Sequence, residues 1–292
     1  MTQPRAAPLK AIVAMIIGAA LLTASDAASK YLTQSYPVGQ VICLRHAATL
    51  LVIVPYIMLF TGWRAARVVN WPGQIFRGLL FVAGSAFMVV SLSVLPLTTV
   101  IAIIFTAPIF VALLSAPMLG EHVGAHRWIA VLIGFAGVLV IVRPGAAGFE
   151  WVLLLPVCTA LVNSLRDIVT RRLSRTETSV SILLCSTLIV MFAGLATAPF
   201  GWNTVDANGV LWFVLAGVTN AAAHFFVIEA LRMGEASLVS PFRYTAFLWA
   251  ALFGFVLWGE IPGLWVALGV ALIICGGLVT VRGERGKVKG LK

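Results

Sequence analysis

The chain has 292 residues, of which 61% are hydrophobic and only 10% charged, and its mean hydropathy is +1.05. A soluble domain carries roughly 25% charged residues, so water is excluded as the main solvent of this surface. The net charge of +10 does not point to nucleic acid, because Lys and Arg sit in short breaks between apolar runs and form no basic stripe.

A spanning helix needs about 20 apolar residues. Cutting at Pro, Gly and charged breaks predicts ten such spans in chain order: 10–32, 38–60, 74–95, 97–119, 125–142, 149–172, 178–200, 208–231, 236–258 and 263–281. The first span follows Arg5 and Lys10 and imitates a secretory signal peptide, but a later partner in the repeat described below argues against its removal. From Gly78 to Gly120 no residue is charged. Runs that are apolar at nearly every position disfavour barrel strands, which alternate. The expectation is an all-α membrane protein of ten transmembrane helices with the lipid bilayer as its solvent.

Cys43, Cys158, Cys185 and Cys275 lie inside apolar runs without ligand spacing and read as small packing residues. His122 and His126 are four apart but stand at a predicted loop with no third ligand, so no metal is expected. Walker A, G-x-S-x-G and dinucleotide motifs are missing from the sequence. No cofactor and no enzyme activity are therefore expected, and drive by ATP would need a separate subunit.

With the N-terminus in the cytoplasm, fifteen of the twenty Lys and Arg residues fall inside, including the tail Arg282, Arg285, Lys287, Lys289 and Lys292. Only Lys30 and Arg143 fall outside, while Arg45, Arg166 and Arg243 lie within or at the edge of spans. That bias predicts a multi-pass protein of a bacterial inner membrane with both termini cytoplasmic.

Sliding the sequence on itself by 139 residues aligns Gly120-Glu121 with Gly259-Glu260, Thr106-Ala107 with Thr245-Ala246 and Val142-Arg143 with Val281-Arg282. Over 95–143 against 234–282 there are 14 identities in 49 positions, more than shared apolar composition explains. The chain thus divides at 1–145 and 146–292 into two five-span halves. An odd number of spans makes the second half enter from the opposite side, so the repeat is inverted.

The phrase LSVLPLTTVIAIIFTAPIFVALLSAPMLGEHVGAHRWIAVLIGFAGVLVIVRPG, echoed by EALRMGEASLVSPFRYTAFLWAALFGFVLWGEIPGLWVALGVALIICGGLVTVRG, resembles the paired EamA repeats of the drug/metabolite transporter superfamily. The likeness covers the whole chain. It implies a ten-helix fold with a central cavity and alternating access. The well-described relatives it suggests are bacterial exporters of amino acids, aromatic ones included, while other members move riboflavin, nucleosides and further metabolites.

In inverted-repeat transporters the small-molecule substrate binds near the midplane, so polar residues in mid-span are the candidates. The 139-residue offset pairs Ser85 with His224, Phe105 with Tyr244, Thr106 with Thr245 and Ala24 with Asn163. Asn220 and His224 share a helical face, and Tyr244 and Trp249 would supply aromatic walls. Each has a plainer reading: Ser and Thr bond their own helix, and Phe105 and Trp249 serve core or lipid contact. Arg45 and Arg243 either hold a substrate carboxylate or pair with Asp26 or Glu229 as gates, whereas a charge near a span end that snorkels fits Arg166 with Asp167 best and Arg243 moderately. Proton coupling through Asp26 or His224 and downhill transport both stay open. Pro108 and Pro241 mark bends, serving either as hinges or as fixed kinks. Gly134, Gly137, Gly269, Gly276 and Gly277 allow close packing within each half, with a homodimer as their second use. A non-transporting membrane receptor and an intramembrane enzyme are the competing classes.

Overall fold

The computed structural model describes residues 8–107, 110, 111, 113, 114, 118, 125–142, 150–173, 176–233 and 240–289, without the side chains of 8, 125–128, 130, 131, 171, 228, 231, 232, 240, 241 and 277–289. The described residues hold ten α-helices and no strand. They are α1 Pro8–Leu32, α2 Val38–Tyr56, α3 Trp71–Val94, α4 Leu97–Ile104, α5 Ala125–Val142, α6 Leu154–Leu173, α7 Ser179–Leu195, α8 Ala207–Met233, α9 Ala246–Trp258 and α10 Leu264–Lys289. Six stretches of 20 to 24 residues are long and apolar enough to cross a membrane, with mean hydropathy between 1.7 and 2.2.

The helix ends follow local chemistry. Asn70 caps α3 by accepting from the Gly73 N–H at 3.0 Å, and Thr178 caps α7 by accepting from the Ser181 N–H at 3.0 Å. Asp206 does the same for α8 through the Gly209 N–H at 2.8 Å. At the other end of a helix, α9 stops because Gly259 adopts φ +68°, a left-handed conformation that costs glycine little.

The chain forms two compact units. Unit A comprises Ser25–Leu95 and Trp151–Ala221. In it α3 packs on α6 and α7, and α2 packs on α7. Its core gathers Ala28, Leu32, Val41, Ile42, Val89, Val190, Phe213 and Ala216. Gly194 of α7 lies against the backbone of Gly39 and Cys43 in α2, so the two helices meet main chain to main chain.

Unit B comprises Met1–Ala24, Pro96–Glu150 and Ala222–Lys292. Here α5 and α10 pack closely, with Gly137 against the carbonyl of Gly269 and against Ile273. A second cluster joins Ala11, Ala14 and Met15 to Ala230, flanked by Phe226, Val227, Met233 and Phe242.

Glu260 explains half of the repeated Gly-Glu pair. Its Oε2 accepts from the N–H of Leu97 at 2.9 Å, which satisfies an orphan donor at the N-terminus of α4. We expect Glu260→Ala to cost about 1–2 kcal/mol, the usual loss for a cap. Thermal unfolding in detergent measures it, and an unchanged melting point would refute the capping role. The matching Gly120-Glu121 lies outside the described residues.

Candidate functional site

Unit B departs from α-helical geometry at two described places. Helix α4 ends at Ile104, where the Phe105 N–H still reaches the Ile101 carbonyl at 3.2 Å but the Thr106 N–H turns to Ile103 at 3.0 Å. The sequence supplies a reason: Pro108 has no N–H to give the Ile104 carbonyl. Before α9 the backbone runs as a 3₁₀ turn, Ser240–Thr245, which contains Pro241. The two departures meet at residues that the 139-residue offset pairs, Phe105 with Tyr244 and Thr106 with Thr245.

The two breaks share their chemistry. Thr106 Oγ1 donates to the Ile103 carbonyl at 2.7 Å, and Thr245 Oγ1 donates to the Phe242 carbonyl at 2.6 Å. These hydroxyls serve their own backbone. Phe105 and Tyr244 meet edge to face with centroids 5.1 Å apart. One turn beyond Thr245, half-buried Trp249 stacks on Phe253 at 6.4 Å, and its Nε1 is shielded from solvent with no hydrogen-bond partner. An indole N–H left so costs about 1–3 kcal/mol, which an acceptor on a bound solute would recover.

Unit A holds the expensive charges. Arg45 and Asp26 pair at 3.7 Å, with side chains only 7% and 9% exposed. Arg45 also donates to Ser29 Oγ at 2.9 Å, while its Nε lacks a partner. The polar seam continues through α1, α2 and α8: Ser29 donates to the Ser25 carbonyl, Ser25 to the Ala216 carbonyl, and Thr49 to the carbonyls of Arg45 and Gly217. Gly217 admits this approach, since a Cβ there would strike Ala48 and the Arg45 carbonyl.

Other sequence candidates are dispersed. Ser85 is buried with an unpartnered Oγ, and Asn163 Oδ1 lies against the neighbouring Gly84. Arg166 contacts Asp167 at 3.4 Å and lies 5.0 Å above the Phe81 ring. Asn220 is buried in unit A; His224, one turn on along α8, is half-buried in unit B, and Arg243 is exposed. Pro108, His122 and the side chains of His126 and Pro241 are outside the described residues. Among the described residues no His, Cys, Asp and Glu group is arranged to hold a metal ion.

The loop ends of unit A are stapled by carboxylates that sequence reasoning missed. Glu177 Oε1 accepts from the N–H groups of Val69 and Asn70 at 2.8 and 2.6 Å, and Oε2 accepts from Ser181 at 2.7 Å. Thr178 donates to the Ala65 carbonyl beside it. At the other end Asp206 Oδ1 accepts from the Tyr36 hydroxyl at 2.7 Å. Burial raises the Glu177 carboxyl, but the Asn70, Ser181 and Val69 donors outweigh it and leave it below its ordinary 4.5. The Tyr36 hydroxyl, then the Gly209 N–H, holds Asp206 below 3.8.

Depressed folded-state values stabilise above the ordinary ones and lose that contribution as pH falls through them. We therefore expect melting temperature to hold on acidification until pH approaches 4.5 and then to drop. Glu177→Gln should flatten part of that drop. An acid limb identical in wild type and variant would remove Glu177 from the account.

Two matches then place the chain. The model of the EamA-like transporter family fits twice, over residues 9–143 and 150–282, and the chain belongs to that family. It is a multi-pass membrane transporter of the EamA type, in a family of transporters and not of enzymes. A riboflavin transporter of Rhizobium johnstonii is 31% identical over 223 residues, 75% of this chain and 74% of that one. An S-adenosylmethionine uptake transporter of Rickettsia bellii is 25% identical over 263 residues, 90% of each chain. A solved crystal structure aligns with a TM-score of 0.68 over 94% of this chain and 97% of its own, at 20% identity, a likeness of fold alone. The first two of these relatives carry names of riboflavin and S-adenosylmethionine transport, and neither name includes amino-acid export.

Proposed function

We propose that the protein is a secondary transporter working by alternating access, built from two inverted five-helix halves, with its solute held at the breaks beside Phe105, Tyr244 and Trp249. The observation that carries this is the coincidence of the two breaks on offset-paired residues, each with a threonine bonded three residues back. Broken helices at corresponding positions of two halves are the usual pointer to a transport site. Lys and Arg placement supports cytoplasmic termini in a bacterial inner membrane.

The preferred solute is a metabolite with a flat ring and a hydrogen-bond acceptor, since the breaks present aromatic edges and an unengaged indole N–H. The named relatives favour the same class. Export of amino acids is the second reading, kept because aromatic amino acids offer a ring as well. Purified protein in liposomes without ATP should be screened with labelled riboflavin, S-adenosylmethionine, nucleosides and amino acids. Saturable flux of a ring-bearing metabolite is expected; saturable flux confined to amino acids selects the second reading, and none across the panel rejects transport of these classes.

A further inference from the structure

The end of unit A formed by residues 33–37 and 201–206 carries a half-open pocket of about 300 Å³, lined by Tyr31, Ser35, Tyr36, Asn203, Thr204 and Asp206 among others, with Asn203, Thr204 and Asp206 exposed to solvent. We propose that this cavity is a binding site for a small planar organic cation, with Asp206 as its counter-charge and Tyr31 as its ring surface. The site stands whether or not the breaks in unit B carry solute.

Charge selects the class of ligand. Residues 31–38 and 196–213 contain no Lys or Arg, in a chain whose net charge is +10, and Asp206 is their one acidic residue. The neighbouring Lys30 is buried, and its ammonium donates to the Leu95 carbonyl at 2.9 Å. Asp206 takes both the Tyr36 hydroxyl and the Gly209 N–H on Oδ1, so its remaining acceptor capacity is concentrated on Oδ2. An anion would be repelled by this exposed carboxylate, most strongly at low salt.

Shape selects a ring. The Tyr31 ring stacks on Trp212 with centroids 4.3 Å apart and an interplanar angle of 25°, which fixes its plane. An aromatic face so held attracts a cation lying over it. The wall is preformed as well: Gln40 donates to the Asn203 carbonyl and accepts from its N–H, and Asn203 Nδ2 donates to the Ser35 carbonyl. Little ordering is then left for the ligand to cause. The volume is at the low end of small-molecule sites, which suits one or two fused rings.

The test uses the purified full chain in detergent and three matched probes: 1-methylnicotinamide, a planar cation; nicotinamide, its neutral form; and nicotinate, an anion. Calorimetric titration should show saturable binding of the cation, binding of nicotinamide about tenfold weaker, and none of nicotinate. Asp206→Asn keeps an acceptor for Tyr36 and Gly209 and should erase the cation's advantage. Should that variant fail to fold, Thr204→Lys places a positive charge on the rim outside the cap and should abolish cation binding. Equal affinity for cation and neutral probe overturns the proposal. So does loss of binding in Tyr244→Ala with Asp206→Asn unaffected, which would place the cation at the breaks in unit B.

Discussion

Arg45→Met should lose about 3–5 kcal/mol of stability, because removing one member of a buried pair strands the other in a medium that cannot solvate it. Asp26 would keep its burial and lose its cation. The bond to Ser29 would go as well, leaving a hydroxyl on the seam with less to do. The combined change Asp26→Asn with Arg45→Gln removes both charges while keeping hydrogen-bonding groups, and should recover most of the loss. If the pair acts as a gate, that double variant will fold and bind solute yet show slowed flux. Melting curves of the three proteins, with flux beside them, check the prediction. A double variant as unstable as Arg45→Met would mean that geometry, not charge, is what the seam requires.

Trp249→Phe should weaken solute affinity by about tenfold, the worth of one hydrogen bond of about 1–1.5 kcal/mol. The same change should leave stability unchanged or slightly higher, since it deletes a shielded donor that has no partner in the protein. Opposite signs on the two measurements separate a solute contact from a packing role, which would lower both together. Tyr244→Ala should be the harsher variant, because it removes the ring that meets Phe105. Concentration dependence of flux and thermal unfolding read the two effects.

Apolar run length found the helices, but it did not see where two of them break. Spans 97–119 and 236–258 are apolar at most positions, Arg243 apart, and hydropathy does not distinguish a continuous helix from a chain that turns at Phe105–Thr106 or runs as a 3₁₀ turn over Ser240–Thr245. Pro108 and Pro241 were the available signals, and both sit within three residues of a break or inside it. The Asp26–Arg45 pair was legible as one of several alternatives, because two intramembrane ions need each other or a ligand. Thr106 and Thr245 were visible as a symmetric pair, while the use of their hydroxyls on their own carbonyls depends on backbone bending that sequence does not display.

Long-range staples were the least legible part. Tyr36 meets Asp206 across 170 positions and Glu177 meets Asn70 across 107, in loops whose composition marks them only as polar. Glu260 stood out as half of a repeated Gly-Glu, yet its partner, the Leu97 N–H, is a backbone group and leaves no trace in side-chain pattern. Substrate class was the remaining gap: aromatic residues at the breaks fit an aromatic amino acid or a heterocycle equally, and the named relatives tilt the choice toward the heterocycle.

Counterflow is the most direct measurement of the central claim that one site is exposed alternately to the two faces of the membrane. Liposomes holding the protein and preloaded with the unlabelled form of whichever solute the screen selects should take up labelled solute faster than empty ones, with a transient overshoot above equilibrium. Uptake that ignores preloading and rises linearly with concentration would describe an open pore and would contradict the account.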